Sequence, residues 1–326
     1  MPYPGGVSDA SITGLVTLTP SPAIDRTYRV PKLLVGGVNR ATSVTEEFAG
    51  KGVNVSRNLL LAGIVAPAVV PLHPRDAEIV SGDALIRISA CSAPLRVNIT
   101  SIDEDGVTTK INQSASELQK SEWSALITSA VKAVEETRAG WILIAGTIPP
   151  IVGGEADIEA IRAQLPGGVK IALDTSGALF DKWARSGLVD CVKPNVKELG
   201  EAVGRPLDTV GDVLDAAEEL ASWGVSYVMV SMGADGFLGY AHGGACWAMC
   251  DPVPVLNTIG AGDASVSGFF NSFLRNPDGF EDAVAMAARW GSQKVQQATS
   301  QLSHLTNLPV VRLRHDIDRQ LPVISD

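Results

Sequence analysis

From residue 121 onward, apolar positions alternate between two rhythms. Short apolar-rich runs at 141–145, 170–173, 189–193 and 227–231 read as strands. Between them, at 122–137, 156–164, 178–186 and 213–223, apolar residues recur every three or four positions, as on one face of a helix. Strands that are apolar on both faces, separated by amphipathic helices, predict a mostly parallel sheet with helices on both faces, an α/β fold. Two further helices are expected at 264–274 and from 280 to about 297. Nearer the start, the pattern predicts strands at 14–18 and 66–72 and a helix at 53–62.

A different pattern occupies two early segments. Residues 24–43 hold two short extended pieces, Thr27-Tyr28-Arg29-Val30 and Val38-Asn39-Arg40-Ala41, around Gly36-Gly37. The β-rich runs 96–102 and 107–111 flank Asp103-Glu104-Asp105-Gly106, an acidic, glycine-ended turn that signals a hairpin. The two segments are expected to form a small β-sheet apart from the main body. Residues 1–13 are small and polar and read as a tail. Residues 14–326 read as one domain, with no repeat or linker.

Composition narrows the function classes. Apolar residues make up 45% of the 326, enough for a large core. Acidic residues outnumber basic ones 36 to 26, a formal charge of -10. That balance argues against binding nucleic acid or an anionic membrane, but a local cationic pocket remains compatible with a small anionic substrate. Cys91, Cys191, Cys246 and Cys250 are too scattered for a disulfide framework and are expected to be small buried hydrophobes. No export signal is read in residues 1–13, and no apolar stretch reaches ~18 residues, so the cytoplasm is the expected compartment.

The candidate chemistry sits in turns that follow strands. Gly260-Ala261-Gly262-Asp263 opens a helix, so backbone N–H groups and the helix field converge on one point suited to an anion. Asp263 is either a first-turn acid that stabilises the helix or a general base. Ala49-Gly50-Lys51-Gly52-Val53-Asn54 is a second glycine-rich helix entry, without the spacing of a Walker loop. Lys193-Pro194-Asn195-Val196-Lys197-Glu198 follows a strand, and the Asn195–Glu198 spacing suits a capping box or a magnesium–water site. Ser231-Met232-Gly233-Ala234-Asp235-Gly236 and Asp174-Thr175-Ser176-Gly177 end two more strands, where open α/β sheets place ligands.

Taken in order, Pro22-Ala23-Ile24-Asp25, Gly50-Lys51-Gly52 with Asn54, Lys193-Pro194-Asn195 with Glu198, Ser231 with Gly233-Ala234 and Gly236, and Gly260-Ala261-Gly262-Asp263 resemble the PfkB, or ribokinase-like, carbohydrate kinases. The likeness runs from about residue 15 to 300. Asp25-Arg26-Thr27-Tyr28, Val38-Asn39-Arg40, Arg96-Val97-Asn98 and Thr108-Thr109-Lys110-Ile111-Asn112 look like the 1-phosphofructokinase and tagatose-6-phosphate kinase branch. The resemblance implies a ribokinase-like fold with a β-sheet lid near 24–43 and 96–111. It implies ATP and Mg2+, a sugar-phosphate substrate, and a homodimer through the lid.

Residue by residue, it implies that Asp25, Gly50 and Asn54 bind sugar hydroxyls. Arg40, Lys51 and Arg96 would hold the phosphate already on the sugar, which needs fixed cations. Asp263 would be the base, and the N–H groups of Gly260, Ala261, Gly262 and Asp263 the anion hole. Asn195, Ser231, Gly233, Gly236 and Gly262 would line the nucleotide site. Asn195 and Glu198 would organise magnesium through water. The expected reaction is ATP-dependent phosphorylation of D-fructose 1-phosphate at O6. The alternatives are tagatose-6-phosphate kinase, 6-phosphofructokinase, or a weakly active or inactive sugar-phosphate-binding regulator.

The chain departs from the pattern at Ser21, Ala49, Asn257, residues 72–78, Ser114-Ala115-Ser116 and Ala298-Thr299. Those departures motivate the regulator and an altered substrate choice. A Rossmann dehydrogenase is disfavoured, because no G-x-G-x-x-G follows the first strand.

Overall fold

The computed structural model describes residues 14–299 and 301–324. The tail expected at 1–13 lies outside the described residues.

In chain order, β1 (Leu15–Leu18), β2 (Ala23–Arg29) and β3 (Ser43–Ala49) lead to α1 (Lys51–Leu60). Then come β4 (Ala68–Leu72), β5 (Ile86–Ala90), β6 (Arg96–Ile102), β7 (Thr108–Asn112) and the two-residue β8 (Leu118–Gln119). Helix α2 (Lys120–Thr137), β9 (Trp141–Ala145), β10 (Ile151–Val152), α3 (Ile158–Gln164) and β11 (Lys170–Asp174) follow. Next are α4 (Ala178–Ala184), β12 (Cys191–Val192), α5 (Val196–Val203), α6 (Val210–Ser222) and β13 (Tyr227–Ser231). The remaining elements are β14 (Phe237–Ala241), β15 (Gly244–Cys250), α7 (Ala261–Phe273), α8 (Phe280–Val295) and β16 (Val311–Arg314).

Ten strands form one sheet in the order β16-β15-β14-β13-β12-β11-β9-β1-β4-β5. From β13 to β5 every neighbouring pair is parallel, and β14, β15 and β16 extend it antiparallel. Alternation along β9 shows why both faces are covered. Ile142 and Ile144 pack with Trp123, Leu126 and Ile127 of α2, while Trp141 and Leu143 pack with Val266, Phe269 and Phe270 of α7. Each such side chain contributes about 1.5–3 kcal/mol when fully buried, which makes the strands of this sheet the stable part of the molecule.

The second sheet has the order β3-β2-β6-β7, with β2 and β6 parallel and the outer pairs antiparallel. It gathers residues from both early β-rich segments. The strand after the first segment runs Ser43–Ala49, later than the Val38–Ala41 piece that the pattern suggested. Asn39 instead closes the connecting loop, its Oδ1 accepting from the Leu34 N–H at 2.8 Å.

The α/β alternation is as expected, and the differences have local causes. Helices α1 and α7 start two and three residues before their apolar periodicity does, because glycines and small residues fill their first turns. Helix α5 is short, and it is fixed by the capping box of Asn195 and Glu198. Strands β14 and β15 escape the pattern because His242-Gly243 joins them. Both residues have positive φ, 53° and 76°, as a two-residue hairpin turn requires. Cys91, Cys191 and Cys246 are buried and Cys250 is half-buried, and all four thiols are free. Among the described residues no helix is long and apolar enough to cross a membrane.

Candidate active site

Helix α7 begins at Gly260, whose φ of 79° is left-handed, a region glycine enters without a Cβ penalty. The Ala261 N–H is bonded to the Thr258 carbonyl at 3.2 Å. Among the described residues no protein acceptor takes the N–H groups of Gly262 and Asp263. These open donors stand at the positive end of the helix dipole and suit an anion.

Asp263, only 7% exposed, lies in the same turn, and its Oδ2 accepts from Asn54 Nδ2 of α1 at 2.7 Å. Burial pushes its carboxyl up to about 6, helped by the charge of Asp174 and opposed by Lys51, Asn54 and Lys193. A carboxylate held there is ionised at neutral pH yet basic enough to take a proton from a bound hydroxyl.

Lys51 and Lys193 converge on Asp174 at the end of β11. Their ammonium groups stand 2.9 and 3.5 Å from Asp174 Oδ1. Burial opposes ionisation of Asp174, but the two lysines hold its carboxyl below the usual value. Burial also pulls Lys51 down, yet Asp174, Asp263 and Glu198 leave it raised overall. The result is a net positive pair of ammoniums around one fixed carboxylate. Gly52 lets α1 approach this closely, since a Cβ there would meet Thr19 Oγ1 at 2.5 Å.

The four-stranded sheet, which gathers the segments expected to form a lid and carries that label below, supplies the opposite wall. Asn98 Nδ2 of β6 donates to Asp25 Oδ1 of β2 at 2.9 Å. Arg96 donates to the carbonyls of Gln113 and Ser21, both at 3.0 Å, and so ties the lid to the loop after β1. Burial lowers its pKa, against the pull of Asp25. Asn54 Oδ1, Asn98 Oδ1, Arg96 Nε and Asp174 Oδ2 are buried without a partner among the described residues, so the walls offer both donors and acceptors.

These walls enclose about 180 Å³. Asp25, Gly50, Lys51, Asn54, Arg96 and Asp263 all line that space, together with Asn98 and Ser176. A cavity of about 660 Å³ lies along the same sheet edge, lined among others by Asn195, Ser231 and Gly233. Glu198 Oε2 accepts from the Asn195 N–H at 2.9 Å, and Asn195 Oδ1 accepts from the Glu198 N–H at 2.8 Å. Both side chains therefore cap α5. Among the described residues no cluster of three acidic, histidine or cysteine side chains could cage a metal.

Two expected residues stand elsewhere. Arg40 is exposed on the loop between β2 and β3 and lines neither cavity, whereas Lys51 and Arg96 line the smaller one and Lys193 stands behind it on Asp174. Gly236 lies beyond the wall, where the turn after β13 enters β14. Sequence reasoning gave no role to Asp174, Lys193 or Asn98. The signal for Asp174 is a lone acid ending an apolar strand, and for Asn98 a polar residue directly across from Asp25.

Residues 85–307 match the family described as pfkB family carbohydrate kinase. The chain is 31% identical to the 1-phosphofructokinase of Rhodobacter capsulatus over 79% of its own length and 83% of that protein's. It is 29% identical to the ATP-dependent 6-phosphofructokinase isozyme 2 of Escherichia coli, covering 89% and 95%. The crystal structure of phosphofructokinase-2 from Escherichia coli in complex with substrates and products superposes with a TM-score of 0.79, at 28% identity over 90% of this chain and 96% of that one. The ordered turns at the sheet edge, the β-sheet over them and these likenesses agree: the chain belongs to the pfkB family of carbohydrate kinases and is a phosphotransferase acting on a sugar phosphate.

Proposed function

We propose that the protein transfers the γ-phosphoryl group of ATP to O6 of D-fructose 1-phosphate, giving fructose 1,6-bisphosphate and ADP. The observation that carries this reading is Asp263: a buried carboxylate with a raised pKa, beside open helix N–H donors and in the wall of a polar cavity that also holds Lys51 and Arg96. The smaller cavity takes the sugar phosphate. Asp25, Gly50, Asn54 and Asn98 meet its hydroxyls, and Arg96 and Lys51 face its phosphate.

Asp263 takes the proton of the 6-hydroxyl as that oxygen bonds to the γ-phosphorus and the bond to the β-phosphate oxygen breaks. Gly262 and Asp263 N–H groups stabilise charge on the transferring group, and Lys193 stands beside it. Such transfer depends mostly on positioning and charge, and one well-aimed donor is worth roughly 3 kcal/mol. The larger cavity takes the nucleotide, with Asn195, Ser231 and Gly233 in its wall.

The donor set suits magnesium that keeps most of its waters, because Asn195 and Glu198 are committed to the cap and can reach an ion only through water. When bound, the ion neutralises phosphate charge. On the lid face opposite Asp25, Val44 and Ile111 are exposed apolar residues, which supports a homodimer that covers them. The expected compartment is the cytoplasm.

A second reading is phosphorylation of fructose 6-phosphate at O1, favoured by the likeness to the Escherichia coli 6-phosphofructokinase isozyme 2. Tagatose 6-phosphate fits the same cationic set. ADP release with each of the three sugar phosphates decides. Fructose 1-phosphate is expected to give the highest kcat/KM. A higher value with another sugar reassigns the acceptor. Tight binding with no turnover of any would make the protein a sugar-phosphate-binding regulator.

A further inference from the structure

Lys294, in the last turn of α8, is 0% exposed, and its ammonium forms no ion pair with any carboxylate among the described residues. Its partners are two backbone carbonyls, Asn257 O at 3.2 Å and Gln297 O at 3.5 Å. A charge buried on carbonyls alone is costly to the fold, and an apolar side chain of the same length would be tolerated better. Stability therefore gives no reason for a lysine at this position.

Its surroundings point to the phosphoryl-transfer turn. Asn257 begins the segment that ends in Gly260. Its Oδ1 accepts from the Ile259 N–H at 2.9 Å, and its Nδ2 donates to the carbonyls of Ala298 and Thr299 at 3.1 and 3.3 Å. The N–H groups of Leu256 and Asn257 both donate to Val295 O. The loop before α7 is thus cross-tied to the end of α8, and the Lys294 ammonium sits between the two. Burial lowers its pKa to about 8, and the carboxylates that act against this are Asp263 first and Glu47 second.

We infer that Lys294 is a positioning residue for phosphoryl transfer: a built-in cation that fixes the 257–260 turn through the Asn257 and Gln297 carbonyls and strengthens the positive field at the start of α7. Converging backbone carbonyls are also the chemistry that holds a potassium ion. Here the tethered ammonium takes that place, so the enzyme works without an added monovalent cation. The charge arrives on α8 while position 257 is the neutral asparagine. The inference rests on reading Gly260–Asp263 as the transfer site.

The test uses ATP turnover of the full chain with its sugar phosphate, in choline chloride, with and without potassium or ammonium chloride. Lys294→Met keeps the length and removes the charge. Its kcat is expected to fall ~10–100-fold, the scale of a misplaced catalytic turn, with KM for the sugar phosphate held and the Tm equal to or above that of the parent. Lys294→Ala opens a carbonyl-lined space, and ammonium or potassium is expected to restore part of its kcat while leaving the parent and the Met variant unchanged.

A Met variant with the parent's kcat overturns the inference. So does a Met variant that loses Tm in step with activity, or a parent enzyme that potassium stimulates. Asp263→Ala separates the layers. If that variant turns over normally, the transfer-site reading falls. If it is inactive while Lys294→Met is normal, only the role of Lys294 falls.

Discussion

Strand β9 of the main sheet reads Trp-Ile-Leu-Ile-Ala and is buried at every position, whereas β7 of the lid reads Thr-Thr-Lys-Ile-Asn and is exposed at every position. The main sheet is covered by helices on both faces and carries Asp174 and Lys193 at its strand ends. Helices α1 and α7 add Asn54 and Asp263, fixed by burial. The lid has few buried apolar contacts of its own and is fastened through groups such as Arg96, whose two hydrogen bonds reach Ser21 and Gln113. Rigid placement belongs to the body, where charge must be held to tenths of an ångström. The lid, with less to hold it, suits the task of closing over a sugar.

Removing a body residue and a lid residue should therefore fail in different kinetic constants. Asp263→Ala removes the proposed base and is expected to lower kcat by ~10²–10⁴-fold while the sugar phosphate still binds, as read by steady-state kinetics and calorimetry. Near-normal turnover would break the division of labour. In the parent, kcat/KM should fall about tenfold per pH unit below pH 6, because Asp263 must be ionised to accept the proton and its pKa is about 6.

The same raised pKa has a cost in stability. The folded carboxyl binds its proton more tightly than the unfolded one. Its favourable contribution is fully present below the unfolded value of 3.8 and is lost as pH rises through about 6. Asp263→Asn should thus gain Tm over the parent as pH rises from about 4 to about 7, with a ceiling of roughly 3 kcal/mol across that window. Thermal melts across that range check the sign, and an advantage of the Asn variant that shrinks as pH rises would contradict it.

On the lid, Asn98→Ala removes a partner of Asp25 and is expected to raise KM for the sugar phosphate by about tenfold, the scale of one charged hydrogen bond, with a smaller change in kcat. A fall in kcat alone would place the lid in the chemistry and blur the contrast with Asp263.

The two regions also differ in how far the sequence reveals them. Residues 141–145 and 227–231 coincide with β9 and β13, because an apolar run bounded by helices has one good solution, a buried strand. The lid was legible as two β-rich segments but not in register, since Val38–Ala41 and Ser43–Ala49 are similarly extended and only pairing with β2 chooses between them. Glycine-rich turns gave away Gly260–Asp263 and Gly50–Asn54, because they need particular residue types at fixed spacing. Asp174 and Lys193 were legible as residues of strand-end turns but not as a pair, because their meeting across 18 intervening positions of chain is a fact of sheet order. Lys294 gave still less away. A lysine near the end of an amphipathic helix is ordinarily a solvated charge, and only the packing of α7 on α8 buries it.

The smallest effect is expected within the lid, between its two faces. Ile111 pairs with Ile99 on the face turned away from Asp25 and Asn98, and it is 65% exposed. With so little of the side chain buried, Ile111→Ser should change the stability of the single chain by less than about 0.5 kcal/mol and leave KM for the sugar phosphate unaltered. If a second copy covers this face, the same substitution desolvates a hydroxyl at an apolar contact, and light scattering should record a smaller particle at low protein concentration. A shift in mass with unchanged kinetics would separate the outer face, which meets a partner, from the inner face, which meets the sugar. A raised KM from Ile111→Ser would instead mean that both faces act on one bound substrate, so that the lid could not be divided in this way.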